Sequence, residues 1–277
     1  MNALRRNPAL AVGVVLTLMA LAVALVSLWW TPYPPARIAM ARRLQGPSAL
    51  NWLGTDHFGR DLMSMMMVGM RNSLAIAVAG VALGGTVGAA LGLAAVAIRG
   101  VAEEALMRAM DFVFAFPAVL AAIIVMAIMG PGSVTTVVAI AVANVAIFAR
   151  LARAAALDVA AREFVRAARA LGCGPARIAL VHVLPNLAGL LVVHATVQIA
   201  VALLIEAGLS YLGLGIQPPY PSLGRMLNDA QTNMSRAPTL AIFPGLGLAA
   251  IVLGINLLGD GLRDLLDPRT AREPIPV

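Results

Sequence analysis

Glu206 is the one clear carboxylate set inside a long apolar run, residues 187–214. An ionised side chain at mid-bilayer costs on the order of 2.5–3.5 kcal/mol on insertion scales, so it normally faces protein or a wet cavity. Two readings fit. It borders a polar substrate path, or it is a protonated or hydrogen-bonded residue that packs helices together. Other chemistry-bearing residues are sparse. His57, His182 and His194 are scattered, and no metal site is expected from them. Met63, Met66, Met67 and Met70 share one helical face. Thioethers can pass Cu(I), but a stripe at this spacing is expected to be adaptable packing. There is no G-x-x-x-x-G-K-[ST] phosphate loop, no G-x-S-x-G elbow and no H-E-x-x-H zinc motif. The chain is therefore expected to hydrolyse nothing and to hold no cofactor. If ATP drives it, the nucleotide binds another subunit.

Composition sets the frame for these residues. The 277 residues are 61% hydrophobic and 12% charged, with mean hydropathy +0.89. A soluble core cannot hide that much apolar surface, which makes this an all-α protein that crosses a membrane several times. All 20 basic residues are arginine, and the formal net charge is +7. The arginines fall between apolar runs, so membrane orientation explains them and no nucleic-acid partner is expected. Cys173 is the single cysteine, which excludes an internal disulfide.

Six spans are expected, over residues 9–30, 73–98, 112–129, 133–149, 187–214 and 240–258. The first is too long for the apolar core of a cleaved leader and is read as an uncleaved helix. The domain reading is an inner amino terminus and first span over 1–30, then an outer segment over 31–72. A five-helix core over 73–262 follows, carrying an inner loop at 150–186, and a tail over 263–277 closes the chain. Arg99 to Arg108 is expected to be a short polar return. Gly80, Gly84, Gly88 and Gly92 recur every fourth residue, which makes one smooth helical groove for a close neighbour. With both termini inside, thirteen arginines lie on the inner side and seven on the outer. That majority includes Arg5, Arg6, Arg99, Arg269 and Arg272, and it follows the positive-inside rule.

Residues 162–186 form the one long charged stretch between apolar runs. They are expected to be two short helices joined by a tight turn. Phe164, Val165, Ala168 and Leu171 make an apolar stripe, and Arg162, Arg166 and Arg169 a basic one. Gly172 suits a left-handed position that closes the first helix, and Pro175 suits the first turn of the second. Pro185 is expected to interrupt or kink that second helix.

The spacing Arg166-Ala167-Ala168-Arg169, then Gly172, then Leu184-Pro185 resembles the EAA loop of permease subunits of bacterial ABC importers. His182-Val183-Leu184-Pro185-Asn186 is similar to the dipeptide, oligopeptide and nickel branch of that family. Arg166 stands where the family often has Glu, and His182 where it often has Ile. Leu53-Gly54-Thr55-Asp56-His57-Phe58-Gly59-Arg60-Asp61 resembles the same branch's signature after the first helix. Residues 209–224, residues 258–264 and Asp267-Pro268-Arg269 resemble its later segments. The resemblance implies a type I importer permease in the bacterial inner membrane, with both termini cytoplasmic. It implies that the loop is a coupling helix docked on an ATP-hydrolysing subunit. The partners implied are a second related permease, two ATPase subunits holding ATP and Mg²⁺, an extracytoplasmic binding protein and membrane lipid. Dipeptides or short oligopeptides are the expected cargo; relatives also handle nickel, glutathione and haem. A stand-alone secondary transporter or channel, or a membrane scaffold, is the alternative.

Overall fold

A computed structural model describes residues 8–98 and 100–266. Arg5, Arg6, Arg99, Asp267, Pro268, Arg269 and Arg272, all used in the sequence reading, lie outside the described residues. Nine helices organise the rest: α1 Pro8–Val26, α2 Leu62–Ile98, α3 Gly100–Ala115, α4 Ala118–Met129, α5 Ser133–Ala160, α6 Glu163–Ala170, α7 Pro175–Tyr211, α8 Leu223–Ala230 and α9 Thr239–Leu266. Among the described residues there is no named strand, only an isolated antiparallel bridge between Thr55 and Asp61. Five helices, α1, α2, α5, α7 and α9, are long and apolar enough to cross a bilayer, and the bent pair α3–α4 makes a sixth candidate.

The four glycines of α2 that recur every fourth residue, Gly80, Gly84, Gly88 and Gly92, all face α5. A side chain at Gly80 would strike Ile140, at Gly84 Asn144, at Gly88 Phe148 and at Gly92 Ala152. Each partner lies 60 positions further along the chain, so the register advances in the same direction on both helices. α2 and α5 are therefore parallel. The end of α2 and the start of α5 then lie at opposite faces of the bundle, and the chain between them must return across it. That settles α3–α4 as a crossing.

It is not the straight third span expected over 112–129. α3 and α4 meet at 93°. Pro117 stands at the N-cap of α4 with ψ 129°, and a residue preceding proline is pushed out of the helical region, which stops α3 before Phe116. Of the expected polar return at 99–108, residues 100–108 are likewise helical, as part of α3. Glu103 pairs with Arg153 at 2.7 Å and Asp111 with Arg150 at 3.5 Å, so α3 is held against the carboxyl-terminal half of α5, the inner half in the orientation expected from the arginines, which the words inner and outer follow below. α4 has 12 residues, about 18 Å of helix, and seats only Ala122 and Met126 firmly in the bundle.

α2 begins at Leu62, well before the expected start at 73. Arg71 donates to the Ser27 carbonyl at 3.0 Å, which puts the outer end of α1 beside Arg71. The nine residues of α2 ahead of Arg71 therefore lift an outer cap about 13 Å past α1. α9 runs antiparallel to α1, with Gly13 against Leu257 and Leu258, and Gly254 against Leu16 and Thr17. α7 is one 37-residue helix. Pro185 does not break it, because Ile178–Val183 is π-helical and Leu184 donates to Ala179 rather than to residue 180. The wider turn reroutes the hydrogen bonds that the proline would otherwise cut.

Candidate functional site

At the inner end, α6 and the foot of α7 form a knob. Val165 and Ala168 are buried; Val165 packs with Ile178, Val183 and Leu187 of α7 and with Leu93, Ala156 and Val159 of the α2–α5 pair. The other half of the expected apolar stripe points away: Phe164 is 42% exposed and Leu171 85%. Cys173 N donates to Ala168 O at 3.1 Å and Gly172 N to Arg169 O at 3.0 Å. Gly172 sits at φ 83° between them, which completes a Schellman closure. Pro175 opens the next helical turn. Arg166, Ala167, Arg169, Gly172 and Pro185 are exposed, while Ala168 is buried and Leu184 half-buried. The six exposed or half-buried members of this set therefore remain open to another molecule. Behind the knob lies a cavity of about 320 Å³, lined in part by Leu93, Val96, Arg169, Cys173 and Ile178.

The outer signature loop is turned inward on its own chain. Asp56 Oδ1 accepts from Phe58 N at 2.9 Å and Arg60 N at 2.7 Å, and its Oδ2 accepts from Arg60 Nε at 2.6 Å. Asp61 Oδ2 accepts from Ser64 N at 2.8 Å and Ser64 Oγ at 2.7 Å, so Asp61 caps the start of α2. Its Oδ1 accepts from Asn51 Nδ2 at 2.9 Å. The Thr55 hydroxyl bonds the Arg42 carbonyl and accepts from Gln45 N. Gly54 and Gly59 sit at φ 91° and 74°, pressed against the carbonyls of Gln45 and Ala39, where a Cβ has no room. Arg60 then reaches Asp229 of α8 at 3.7 Å, and Arg225 shares that carboxylate at 3.1 Å. Both signature carboxylates are buried, and each oxygen already has a donor from the protein. The loop's chemistry is spent on holding α2 and α8 in place.

Glu206 has no exposed surface, so it borders no open path in this arrangement. It lies near the outer end of α7, five residues before Tyr211. Ser210 donates to its Oε1 at 2.7 Å. The hydroxyls of Ser73 on α2 and Ser222 at the N-cap of α8 face the same carboxylate, although neither gives Oε2 a close hydrogen bond. All three serines are fully buried. Their own oxygens accept backbone N–H groups from Leu223, Ile216 and Arg225. The cluster fastens α2, α7 and α8 to one another. Sequence reasoning missed the serines. Ser210, one helical turn after Glu206, carried a local signal; Ser73 and Ser222 carried none, because only the fold brings them together. The methionine face packs as well, with the tips of Met66 and Met70 against Gly247 of α9. Among the described residues no group of three or more His, Cys, Asp or Glu side chains could hold a metal.

These features define an all-helical membrane subunit, with a pinned outer cap at one end and an exposed basic knob at the other. The chain belongs to the family of binding-protein-dependent transport system inner membrane components, whose family model matches residues 90–272. It is thus a permease subunit of an ABC importer. The glutathione transport system permease protein GsiD of Pectobacterium atrosepticum is 42% identical over 267 residues, covering 96% of this chain and 88% of that protein. The dipeptide transport system permease protein DppC of Alkalihalophilus pseudofirmus is 39% identical over 269 residues, with the same coverage of 96% and 88%. A solved structure of the MetNI methionine ABC transporter, described as inward facing, aligns with TM-score 0.62 at 19% identity, over 74% of this chain and 98% of that one. At that identity the likeness establishes the fold, a type I importer permease bundle.

Proposed function

We propose that this subunit carries short peptides inward, dipeptides or a tripeptide such as glutathione, with ATP and Mg²⁺ held by two separate ATPase subunits. The observation that carries the reading is mechanical. α7 runs unbroken from the exposed knob to the Glu206 cluster, so a push on the knob is delivered to α2 and α8 at the outer end. Binding of ATP on the partner subunits would favour one knob position over another, and the shift in helix packing would follow from those differential contacts. Both termini are cytoplasmic on this reading, which puts the knob on the side where nucleotide is available and the outer cap on the side of the binding protein.

Support for a peptide cargo comes from the curated relatives and from the outer end of the bundle. A cavity of about 510 Å³ opens there, where Asn72, Ser133, Gln217 and Tyr220 alternate with Ile76 and Ile216. Amide and hydroxyl groups beside apolar ones suit a backbone amide next to a side chain. The apolar groove of about 490 Å³ between α2, Phe148 of α5 and α7 suits the second, related permease. Binding-protein delivery sets which peptide arrives.

The test is Ala167→Trp. Ala167 is exposed on the open face of α6, so the substitution leaves the packed side of the knob untouched. The variant should reach the membrane and assemble with the second permease, yet lose uptake of labelled dipeptide and glutathione. Uptake at the unaltered rate would refute docking at this site.

A further inference from the structure

The outer cavity of about 510 Å³ is chemically one-sided. Asn72 Nδ2 donates to the Pro221 carbonyl at 2.8 Å. Gln217 Nε2 donates to the Gly213 and Gly215 carbonyls at 3.0 and 2.9 Å. A backbone carbonyl only accepts, so it fixes which end of each amide faces it. Both NH₂ groups are turned into the chain, and the two amide oxygens are what remains for a ligand. Among the described residues neither Asn72 Oδ1 nor Gln217 Oε1 accepts a hydrogen bond, and neither is sealed from the surface.

The surroundings sharpen that preference. Among the described residues no charged side chain lines this cavity. Two acceptors with no cation beside them repel a carboxylate and suit a group that only donates. An ammonium is such a group, with three N–H donors and no acceptor. Its charge makes each bond roughly twice as strong as a neutral one. The hydroxyls of Ser133 and Tyr220 border the same space and can supply the third acceptor. The first N–H groups of α5 also open here, because Gly132 gives them no side-chain cap; they are donors and do not compete for an ammonium. Ile76 and Ile216 add an apolar wall. Pro218, Pro219 and Pro221 restrict the backbone around Gln217 and Tyr220, so the wall keeps its shape before any cargo arrives.

We infer that Asn72 Oδ1 and Gln217 Oε1 hold the protonated amino end of the cargo, with its first side chain against Ile76 and Ile216. The inference rests on the peptide cargo proposed above and adds which end of the peptide this subunit reads. A peptide without its amino group leaves both oxygens facing no donor and forfeits the charge-assisted bonds. A free carboxyl end is not required at these two oxygens. This choice is made by the permease itself and is separate from the one the binding protein makes on delivery.

The experiment uses the complete importer in nanodiscs, with Ser133→Cys in a Cys173→Ala background as a reporter at the cavity rim. Maleimide labelling of this subunit is followed by its mass, without binding protein, in the presence of alanyl-alanine, alanyl-alaninamide or propionyl-alanine. Alanyl-alanine and alanyl-alaninamide should slow the labelling. Propionyl-alanine, which carries hydrogen in place of the amino group, should not. Adding Gln217→Met should weaken protection by alanyl-alanine on the order of tenfold, with assembly beside the second permease as the folding control. The comparison among the three compounds leaves Gln217 and Asn72 intact, so a misfolded variant cannot decide it. If propionyl-alanine protects as well as alanyl-alanine, or if Gln217→Met changes nothing, recognition of the amino end is overturned. If no compound protects while the importer with its binding protein still takes up labelled dipeptide, the peptide cargo stands and this cavity is not where its amino end is held. If the importer takes up neither dipeptide nor glutathione, the cargo reading falls and this inference falls with it.

Discussion

Adding one methyl group at Gly84 should separate the two helices at the centre of the bundle. A Cβ built there lies 2.5 Å from the Ala141 carbonyl oxygen and 2.6 Å from Asn144 Cβ, whereas ordinary contact begins near 3.4 Å. The carbonyl belongs to helical backbone and cannot rotate away, so α2 and α5 must part by about 0.9 Å at that level. Overpacking of this kind typically costs about 1–3 kcal/mol. A neighbouring glycine gives the control. At Gly85 the nearest atoms are ring carbons of Phe148 at 3.4 Å, within ordinary contact. Gly85→Ala should therefore melt close to wild type, and Gly84→Ala well below it, in thermal unfolding of the detergent-solubilised subunit. Equal melting of the two variants would show that α2 does not present this face to α5. The parallel register would fall with it, and so would the argument that α3–α4 crosses the bundle.

Two further substitutions probe the outer end. Glu206→Ala strips the Ser210 hydroxyl of its acceptor and should cost about 1–3 kcal/mol of stability, while Glu206→Gln keeps an acceptor and should leave both stability and uptake near wild type. Loss of uptake in a stable Glu206→Gln subunit would restore this residue to the substrate path. Asp61→Ala removes the cap of α2 and the tie to Asn51, and should cost about 0.5–2 kcal/mol; it should also speed proteolysis of the outer segment 31–61. Resistance equal to wild type would mean that the signature loop is held by something other than these bonds.

What could be foreseen in the sequence, and what could not, divides along a physical line. Local signals held where one helix decides the matter. The four-residue glycine period marked the face of α2, and Gly172 followed by Pro175 marked the turn in the knob, because backbone conformation there depends on near neighbours. The bend at Pro117 escaped, since a window average over residues 112–129 registers apolar composition and is blind to direction. The early start of α2 escaped because its first turns pack on the cap, Leu62 and Met65 with Met226 and Leu240, and those partners come from distant parts of the chain. Pro185 misled for a related reason: a proline forbids one hydrogen bond, but a π-helical turn supplies a different one. Glu206 shows the limit most sharply. An apolar context made it conspicuous, yet its neighbours Ser73 and Ser222 come from distant parts of the chain, so no reading of its own segment could distinguish a path from a fastening. The signature loop makes the converse point. A motif specifies residue types without their addressee, and here Asp56 and Asp61 spend every carboxylate oxygen on the protein itself. Both carboxylates are buried and each of their oxygens already accepts a bond from the protein, so on the proposed reading substrate contact falls elsewhere at the outer end, where Asn72, Gln217 and Tyr220 border open space.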